Sequence, residues 1–596
     1  MGVRRRGVTL AGMSDSIIDV RLGFLERTSK KRSRRRPVPR HPPSGKVKQG
    51  QPARSAPIPL MTWVERFLYA GKDHTVVPAV DQLRQGLPTD RLIGWIVTLV
   101  VTGIAFVVRL YRLGYPAQLV FDESYYAKDA WSYLQYGYEG TWEGDSVAFN
   151  QAFANGDYSA LQSAGAWAVH PPLGKWLIAA GEALFGVSPF GWRISSVVFG
   201  ALLVFVVIRL GRRLSRSTVI GGLAGLLLCF DGLHFVMSRI ALLDIFQAFF
   251  IVAAVSCVVT DRDYFRNRLG DHIATSPGQT LAGQAGPFIF RPWLIAAGVL
   301  FGAGCAVKWN TIYPLAVFGV VVVVWSYTAR RLAGARKRSR WALLFDGVPA
   351  FISMVIVGVG VYLATWIPWL SATGVHAREW GVDYPGVGES SAFGDAMTRL
   401  WWWHEITYDF HTNDDMATAT HVYSSNPWGW PFLGRTIAIF GENDIQPGVD
   451  GCKAAAGDIC VRVVTGLGTP LLWWAAAIAL IVGLIWWLAR ADWRFGVTSL
   501  ATLSTWIPWI LAGSRPMFNF YAITMIPFMV IGLAMALGVI LGQSDADPPR
   551  RRAGVIVVSS YVGLVVVNFV FFYPIYTGQL LTRAQWLTRM WFPGWA

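Results

Sequence analysis

Residues 92–126 read LIGWIVTLVVTGIAFVVRLYRLGYPAQLVFDESYY, an apolar run followed by a short polar linker and two adjacent carboxylates. The run Leu92–Leu110 is long enough to cross a bilayer, since a spanning helix needs roughly 20 apolar residues. Asp122 and Glu123 follow it among aromatic residues. Two adjacent charges at the end of a membrane helix indicate either a solvated turn or a functional site.

The composition of the whole chain predicts an all-α polytopic membrane protein. Of its 596 residues, 53% are hydrophobic and 15% are charged, whereas soluble domains carry roughly 25% charged residues. The net charge of +17 does not indicate nucleic acid, because much of the basic excess lies before residue 60 in a tail rich in Pro, Ser and Gly. We expect residues 1–60 to be a disordered cytoplasmic tail that contacts anionic membrane lipids.

The apolar runs predict about eleven transmembrane helices. They are Leu92–Leu110, Ile194–Leu210, Val219–Phe235, Ala241–Val259, Trp293–Val307, Thr311–Tyr327, Leu344–Leu370, Pro470–Leu488, Val497–Ala512, Tyr521–Leu541 and Gly554–Tyr573. The implied organisation is a juxtamembrane segment (61–91), an N-terminal transmembrane module (92–370) with a first external loop (115–190), a large external loop (371–469), and C-terminal helices with an external tail (470–596). The segment Pro172–Gly186 is too short to span, and its one apolar face predicts a helix lying in the external interface.

Loop charges orient these helices. Every second predicted helix is followed by a basic stretch, and the N-terminus is basic too. Because Lys and Arg collect on the cytoplasmic side, we expect a cytoplasmic N-terminus and an external C-terminus in the plasma membrane. The unusual polar residues at the helix ends then share the external side, which is the strongest functional signal in the residues themselves.

Those residues suit a reaction on a lipid phosphate. A carboxylate among aromatic residues, such as Asp122 or Glu123, can act as a general base. Arg193 and Lys308 are either anchors that reach to the interface or ligands for a phosphate. His170 and Lys175 open the interfacial helix, where they either begin a helix or contact a substrate.

The large loop offers two further candidates. Three of its histidines, His404, His411 and His421, have irregular spacing for a metal site, and we expect none. Cys452 and Cys460 lie close together in a polar loop. If the loop is external, they can form a disulfide, worth about 2.5 kcal/mol in the chain-entropy model.

Several of these segments resemble motifs of the protein O-mannosyltransferases, and most closely those of the actinobacterial, mycobacterial-type enzymes. The likeness covers the chain from about Leu92 to the C-terminus. It rests on Phe121–Lys128, His170–Lys175, Arg193 with its following Ser-Ser, Ser238–Asp244, Val307–Trp309 and His421–Pro431. Only about 100 residues separate the seventh and eighth predicted helices, too few for the β-trefoil domain that eukaryotic members carry there.

The resemblance implies a C-type glycosyltransferase fold. It also implies inverting transfer of mannose from polyprenyl-phosphate-mannose to Ser or Thr of unfolded exported proteins, with no required cofactor. By the same resemblance Asp122 is the catalytic base, Glu123 shapes the acceptor site, and Arg193 binds the donor phosphate together with Lys308. Further candidate substrate contacts are Tyr126, His170, Lys175, Arg239, Asp244, His421, Tyr423, Ser424 and Trp428.

Two alternatives remain open at this point. One is a related transferase, such as an aminoarabinose or arabinose enzyme, that acts on a lipid or glycan acceptor. The other is a transporter, although the chain shows no clear internal repeat. Docking of the enzyme near the secretion channel is an expectation that follows from the unfolded state of exported acceptors.

Overall fold

The computed structural model describes residue 83 and residues 86–143, 146–275, 288–333, 342–372, 395–513, 515–542 and 547–596. The basic tail (1–60) and most of the juxtamembrane segment (61–91) lie outside the described residues. So do residues 373–394 of the large loop.

The described chain is mostly helical. Its α-helices are α1 (Arg91–Leu110), α2 (Glu123–Tyr136), α3 (Ser146–Ala154), α4 (Leu173–Phe185), α5 (Pro189–Ser215), α6 (Thr218–Cys229), α7 (Gly232–Met237), α8 (Asp244–Thr275), α9 (Pro292–Cys305), α10 (Ile312–Leu332), α11 (Ala342–Thr365), α12 (Ile367–Ser371), α13 (Asp395–Thr412), α14 (Asp414–Thr418), α15 (Pro470–Arg490), α16 (Trp493–Leu511), α17 (Ile526–Leu541), α18 (Pro548–Tyr576) and α19 (Arg583–Leu587). Short 3₁₀ turns cover Trp309–Thr311, Pro427–Phe432, Val449–Gly451, Asn519–Thr524 and Pro593–Trp595.

Seven of the described helices are long and apolar enough to cross a membrane, counting Trp309–Leu332 as one with its 3₁₀ turn. They are α1, α5, α8, α10, α11, α15 and α18, and α6, α9 and α17 are shorter apolar helices. Each of the eleven segments predicted from the sequence overlaps a helix. The chain is therefore a multi-pass membrane protein, while eleven crossings and their orientation stay a prediction.

The core of the bundle forms around α8. This helix packs against α5, α9 and α10, and α5 packs in turn against α1, α4 and α6. The middle of α8 is almost wholly buried, with Val252, Ala254, Val255 and Val258 at the centre of the main apolar cluster. The residue that begins α8, Asp244, is thereby fixed at one end of the bundle.

The predicted helix Val219–Phe235 is interrupted in the structure. Helix α6 ends at Cys229. Asp231 then caps α7 by accepting a hydrogen bond from the backbone N–H of His234 (2.9 Å). The same carboxylate also accepts from the backbone N–H of Thr469 and from the indole of Trp473. Asp231 thus begins α7 two residues after α6 ends, because its side chain accepts from a backbone N–H of the first turn of α7 that a continuous helix would pair internally.

The fold also contains strands that an all-α prediction did not include. Between α2 and α4, β1 (Gly140–Trp142) pairs with β2 (Leu161–Gly165) in antiparallel fashion. A second antiparallel sheet has the order β3–β4–β5, formed by Ile437–Ile445, Cys460–Gly466 and Leu581–Thr582. Its register pairs Ile437 with Gly466 and Cys460 with Thr582. The C-terminal tail is therefore joined to the large loop.

Helix α4 lies where the interfacial helix was predicted. Its predicted apolar face, which includes Trp176 and Leu184, is partly or fully exposed. Its opposite face carries Lys175 and Glu182, and both are buried against the protein. The polar residues of this helix therefore face the protein interior.

Candidate active site

Asp122 lies at the N-cap position of α2, directly after a strained residue. Phe121 has φ +50°, which is a rare backbone conformation for a bulky side chain. Its ring packs edge-on against Phe518 and Phe520, with ring centroids 6.0 and 5.8 Å away. Strain of this kind costs about 1–3 kcal/mol and persists where the surroundings fix the backbone, often at functional sites. The aromatic contacts of Phe121 thus help to fix the orientation of the Asp122 side chain.

The neighbouring carboxylate, Glu123, is locked in a buried ion pair. Arg193 donates to both of its oxygens, from Nε and from Nη2, each at 2.8 Å. The same carboxylate accepts from the backbone N–H groups of Val120 (3.0 Å) and Ala241 (2.9 Å). Glu123 and Arg193 are both completely buried. This saturated carboxylate cannot readily take a proton from a substrate.

The guanidinium of Arg193 has no N–H left for a phosphate. Besides its two bonds to Glu123, it donates to the carbonyl oxygens of Leu113 (3.3 Å), Pro116 (2.8 Å) and Gln118 (2.9 Å). These bonds use all five N–H groups of an arginine. Arg193 thereby ties the linker before Asp122 to α5. These contacts favour a positioning role, and the expected contact of Arg193 with the donor phosphate stays a prediction.

Arg239 likewise donates hydrogen bonds to backbone carbonyls at the start of the same linker. It donates to the carbonyl oxygens of Arg109 (2.8 Å), Tyr111 (2.6 Å) and Arg112 (3.1 Å). The last carbonyls of a helix lack intrahelical partners, so Arg239 satisfies the C-terminal end of α1. Arg193 and Arg239 together hold the whole linker from α1 to Asp122.

The Asp122 carboxylate itself has no hydrogen bond or ion pair within the described part of the chain. Burial raises its pKa to about 6, with Lys308 lowering that pKa and Asp244 raising it. The carboxylate is therefore mostly ionised at pH 7, yet basic enough to accept a proton. Of the two adjacent carboxylates, only Asp122 is available for proton transfer.

Lys308 and Asp244 form an ion pair beside it. The Lys308 ammonium donates to both oxygens of Asp244, at 2.9 and 2.8 Å, and lies 5.2 Å from the centre of the Tyr521 ring. Gln247, one turn along α8 from Asp244, donates to the side chains of Asn310 and Thr311. The turn that carries Lys308 is thereby fastened to α8.

Two histidines and an arginine complete the same region. The rings of His170 and His411 are stacked 6.0 Å apart, and Tyr126 lies 6.2 Å from His170. Arg515 donates from Nη1 to Nδ1 of His411 (3.1 Å). Since an arginine only donates, Nδ1 of His411 accepts, and the ring proton of the neutral imidazole is on Nε2.

Burial lowers the pKa of both histidines. The pKa of His411 falls to about 4, with Arg515 and Lys308 adding to the effect. The pKa of His170 falls well below its ordinary value for the same reason, and Lys308, His411, Lys175 and Arg515 lower it further. Both imidazoles are therefore neutral at pH 7, and the positive charge of the site resides on lysine and arginine.

Lys175 belongs to a separate buried cluster. Its ammonium lies 2.6 Å from a Glu139 oxygen and 3.4 Å from Asp129, and Tyr133 donates to the same Glu139 oxygen. Burial raises the pKa of Asp129 to about 6, although Lys175 opposes this. Lys175 thus joins α4 to α2, and two carboxylates hold its ammonium.

The motif His421–Pro431 reaches the site through the segment Met517–Tyr521. Ser425 donates from its backbone N–H to the Met517 carbonyl (2.7 Å), and Trp430 donates to the Ser425 hydroxyl (2.9 Å). His421 packs edge-on against Phe518, which in turn packs on Phe121. Of the candidate substrate contacts in this motif, His421, Ser424 and Trp428 are exposed and Tyr423 is half-buried.

The large loop contains the disulfide that the sequence left open. Cys452 and Cys460 are bonded to each other, and Cys460 is the first residue of β4. In the described residues, no group of three or more His, Cys, Asp or Glu side chains is arranged to hold a metal ion.

Sequence reasoning missed Arg515, Asp129, Glu139 and the Phe518–Phe520 pair. Arg515 had a usable signal, because it is a lone charge at a predicted helix end on the same side as the other polar residues. The role of Phe518 and Phe520 depends on long-range packing against Phe121, and an apolar sequence carries no sign of it.

Comparison with known proteins identifies relatives over most of the chain. A family model described as dolichyl-phosphate-mannose-protein mannosyltransferase matches residues 99–375. A second, described as the C-terminal four-transmembrane region of protein O-mannosyltransferase, matches residues 400–537. The polyprenol-phosphate-mannose–protein mannosyltransferase of Mycobacterium tuberculosis is 37% identical, covering 85% of this chain and 93% of its own length. The Corynebacterium glutamicum protein of the same name is 33% identical, covering 80% and 88%.

A solved structure shows the same fold. The protein O-mannosyltransferase complex of Saccharomyces cerevisiae bound to the sugar donor aligns with a TM-score of 0.63 at 16% identity. The alignment covers 87% of this chain and 94% of the yeast chain. The likeness supports the C-type glycosyltransferase membrane fold.

Proposed function

Because the chain belongs to the protein O-mannosyltransferase family, we propose that it transfers mannose from polyprenyl-phosphate-mannose to Ser or Thr hydroxyls of exported proteins. The chain is an enzyme, a mannosyltransferase that uses a lipid-linked donor and acts on protein. The observation that carries the finer proposal is the contrast between two adjacent carboxylates. Glu123 is saturated by Arg193 and backbone donors, whereas Asp122 has no partner among the residues that the structure describes and has a pKa raised to about 6.

Asp122 acts as the general base in this proposal. It takes the proton of the acceptor hydroxyl while the hydroxyl oxygen forms a bond to the anomeric carbon of mannose. The bond from that carbon to the phosphate oxygen breaks at the same time, and the lipid phosphate leaves with the electron pair. A direct displacement of this kind inverts the configuration of the anomeric carbon, and a well-placed base typically contributes roughly 10²–10⁴-fold to the rate.

Arg515 and Lys308 stabilise the leaving phosphate. The Nε of Arg515 is buried and has no hydrogen-bond partner in the described residues. Lys308 gives two of its three N–H groups to Asp244 and keeps one. Both cations lower the pKa of His411 and of His170. This supports the proposal that Arg515 and Lys308 act electrostatically on the same region, beside these two histidines. Cations fixed where negative charge develops are usually the largest single contribution to such a reaction.

The neutral imidazole of His411 supplies a further donor. The Nδ1 of His411 accepts a hydrogen bond from Arg515, so the donor that His411 offers to a substrate is its Nε2–H. We assign this N–H to the sugar or to a non-bridging phosphate oxygen. His170, stacked on His411 and beside Tyr126, orients it.

The site operates on the external face in this proposal. Basic stretches follow alternate predicted helices and put the end of α1 that leads to Asp122 outside the cytoplasm. Acceptors would then arrive as unfolded exported chains, which is compatible with docking near the secretion channel. The residues of the site supply a base and cations for displacement, and no metal or further cofactor enters the proposed reaction.

A transfer assay tests the proposal. Membranes containing the chain are supplied with labelled polyprenyl-phosphate-mannose and a Ser/Thr-rich peptide, and a peptide with Ala at every Ser and Thr serves as control. We expect label in the first peptide alone. Label appearing only in lipid or glycan would indicate the related transferase class instead. Movement of a solute with no labelled product would indicate a transporter.

A further inference from the structure

A polar cavity of about 440 Å³ lies beside the linker that connects α1 to Asp122. The linker contributes Arg112 and Tyr115 to its wall, and the large loop contributes Asp450 and Arg462. The remaining wall is the segment 578–580, which directly precedes β5. Ligand sites typically occupy roughly 300–1,000 Å³, so this cavity has the volume of a binding site. None of its residues takes part in the reaction proposed above.

The cavity opens where the sheet of the large loop loses its third strand. Strand β5 pairs only with Cys460 and Val461 of β4. The segment 578–580 separates from β4 at this point, and the cavity lies between that segment and Arg462. From Arg462 onward, β4 therefore has no strand partner on this side among the described residues. An unpaired stretch of strand is a template for an extended polypeptide.

The wall formed by segment 578–580 passes closely over an aromatic ring. Gly578 has φ +63°, and a Cβ at this position would lie 2.9 Å from a carbon of the Tyr115 ring. Both the backbone conformation and the close approach favour glycine here. The Arg112 guanidinium lies 4.9 Å from the centre of the same ring. Packed main chain and a stacked arginine therefore shape this side of the cavity.

The charges in the cavity are mixed. Arg462 donates to the carboxylates of Glu442 and Asp450, each at 3.0 Å. Arg112, by contrast, has no carboxylate partner in the described part of the chain. The lining thus combines a carboxylate, a cation available to a ligand and the side-chain amide of Gln579. Such a surface suits a peptide main chain, which both donates and accepts hydrogen bonds, better than it suits a simple anion.

Strand β4 connects the cavity to the surroundings of Asp122. The segment 518–520 packs against the residue before Asp122, and its Asn519 donates to the carbonyl oxygen of Gly466 (2.7 Å). Arg462 precedes Gly466 by four residues on β4, which corresponds to about 13 Å at the rise of a strand. An extended chain covers this distance in roughly four residues.

We propose that the cavity binds an extended segment of the acceptor polypeptide, several residues away from the hydroxyl that receives mannose. The segment lies along β4 beyond the end of β5, and Arg112 and Gln579 contact its main chain. This role rests on the protein acceptor proposed above, because an unfolded exported chain presents its main chain for such contacts. The cavity then holds the acceptor near Asp122 without touching the reacting atoms.

Two acceptor peptides of different length test this role. One has about five residues with Thr at its centre, so it reaches only about 7 Å to either side. The other has the same centre within about twenty residues of extended sequence. We expect wild-type enzyme to show a KM at least about fivefold lower for the longer peptide, because one hydrogen bond alters an affinity by roughly two- to tenfold and the segment forms several. The kcat should be similar for both.

Variants of the cavity locate the effect. We expect Gln579→Trp, which fills the cavity, to raise the KM of the longer peptide to that of the shorter one and to leave the shorter peptide's KM unchanged. Arg112→Gln should raise only the longer peptide's KM, by roughly two- to tenfold. Thr588→Trp is the control, since it adds the same side chain at an exposed position of the same tail outside the cavity. It should behave as the wild type does.

Several results would overturn the proposed role. Equal KM values for the two peptides in the wild type would refute it, whether or not any variant folds, and would leave the proposed mannosyl transfer intact. A folded Gln579→Trp variant that raises neither KM, or raises both equally, would also refute a separate segment site. Transfer to neither peptide by the wild type would overturn the proposed protein acceptor and the role of the cavity together.

Discussion

Replacing either member of the Glu123–Arg193 pair separates a positioning role from a phosphate-binding role. The variant Arg193→Gln removes the cation and leaves the carboxylate buried, and Glu123→Gln does the reverse. Both side chains are 0% exposed and are joined by two bonds of 2.8 Å. Arg193 also holds three carbonyls of the linker before Asp122.

The expected cost follows from this burial. Removing one partner of a buried, hydrogen-bonded ion pair costs about 3–5 kcal/mol, because the other charge stays buried without compensation. The double variant Glu123→Gln/Arg193→Gln leaves no buried charge at this place, so it should recover part of that loss. The linker remains loosened in all three variants, and Asp122 loses its fixed position.

Thermal unfolding and steady-state kinetics measure the two consequences. We expect each single variant to unfold at a lower temperature and to transfer mannose with a lower kcat, while the KM for the lipid donor changes little. Arg291→Gln is the matched control, since it breaks the buried Asp261–Arg291 pair far from the site. It should lower the unfolding temperature to a similar extent and leave kcat per folded enzyme nearly unchanged.

The opposite pattern would refute the positioning role. If Arg193→Gln raised the donor KM strongly while the unfolding temperature and kcat stayed at wild-type values, Arg193 would have to contact the phosphate. The structure would then describe a state that rearranges when the donor binds.

The electrostatics of the site give two further predictions. Because the reacting form of Asp122 is the carboxylate and its pKa is about 6, transfer should decline as the pH falls through about 6. Lys308→Gln should move this acidic limb of the pH–rate profile to higher pH, because Lys308 lowers the pKa of Asp122. Asp244→Asn should move the limb to lower pH, because Asp244 raises that pKa. A limb that stays at the same pH in both variants would mean that another group titrates. Arg515→Gln should raise the KM for the lipid donor about tenfold or more, as expected for a lost charged hydrogen bond. Arg583→Gln, at an exposed position, is the control and should leave the KM unchanged. An unaltered KM in Arg515→Gln would contradict the assignment of Arg515 to the phosphate site.

Much of the fold follows from the sequence because the bilayer imposes a simple rule. Every backbone polar group in the hydrocarbon must be satisfied within the protein, so long apolar runs become helices. The runs Leu92–Leu110 and Pro470–Leu488 become helices with nearly the predicted bounds. The break at Asp231 was missed, since it depends on backbone donors near Thr469 that lie far away in sequence.

The sequence indicates candidate residues for the site but not the contacts that each of them makes. The short motif Asp122-Glu123 identifies two carboxylates, but their different surroundings depend on which of them an arginine of α5 reaches. Arg193 was predicted to bind phosphate because an arginine at a membrane boundary has the right chemistry. Its actual partners are Glu123 and three backbone carbonyls, and nothing in the local sequence indicates them. The pairing of the C-terminal tail with the large loop was missed for a similar reason, because β4 and β5 are more than a hundred residues apart.

The most direct test of the account is the single-turnover rate of mannosyl transfer by Asp122→Asn. The substitution keeps the shape of the side chain and removes its ability to accept a proton. We predict a rate roughly 10²–10⁴-fold below that of the wild type, with the unfolding temperature and donor binding retained. A rate within a few-fold of the wild type, in a variant that is equally stable, would contradict the assignment of Asp122 as the base.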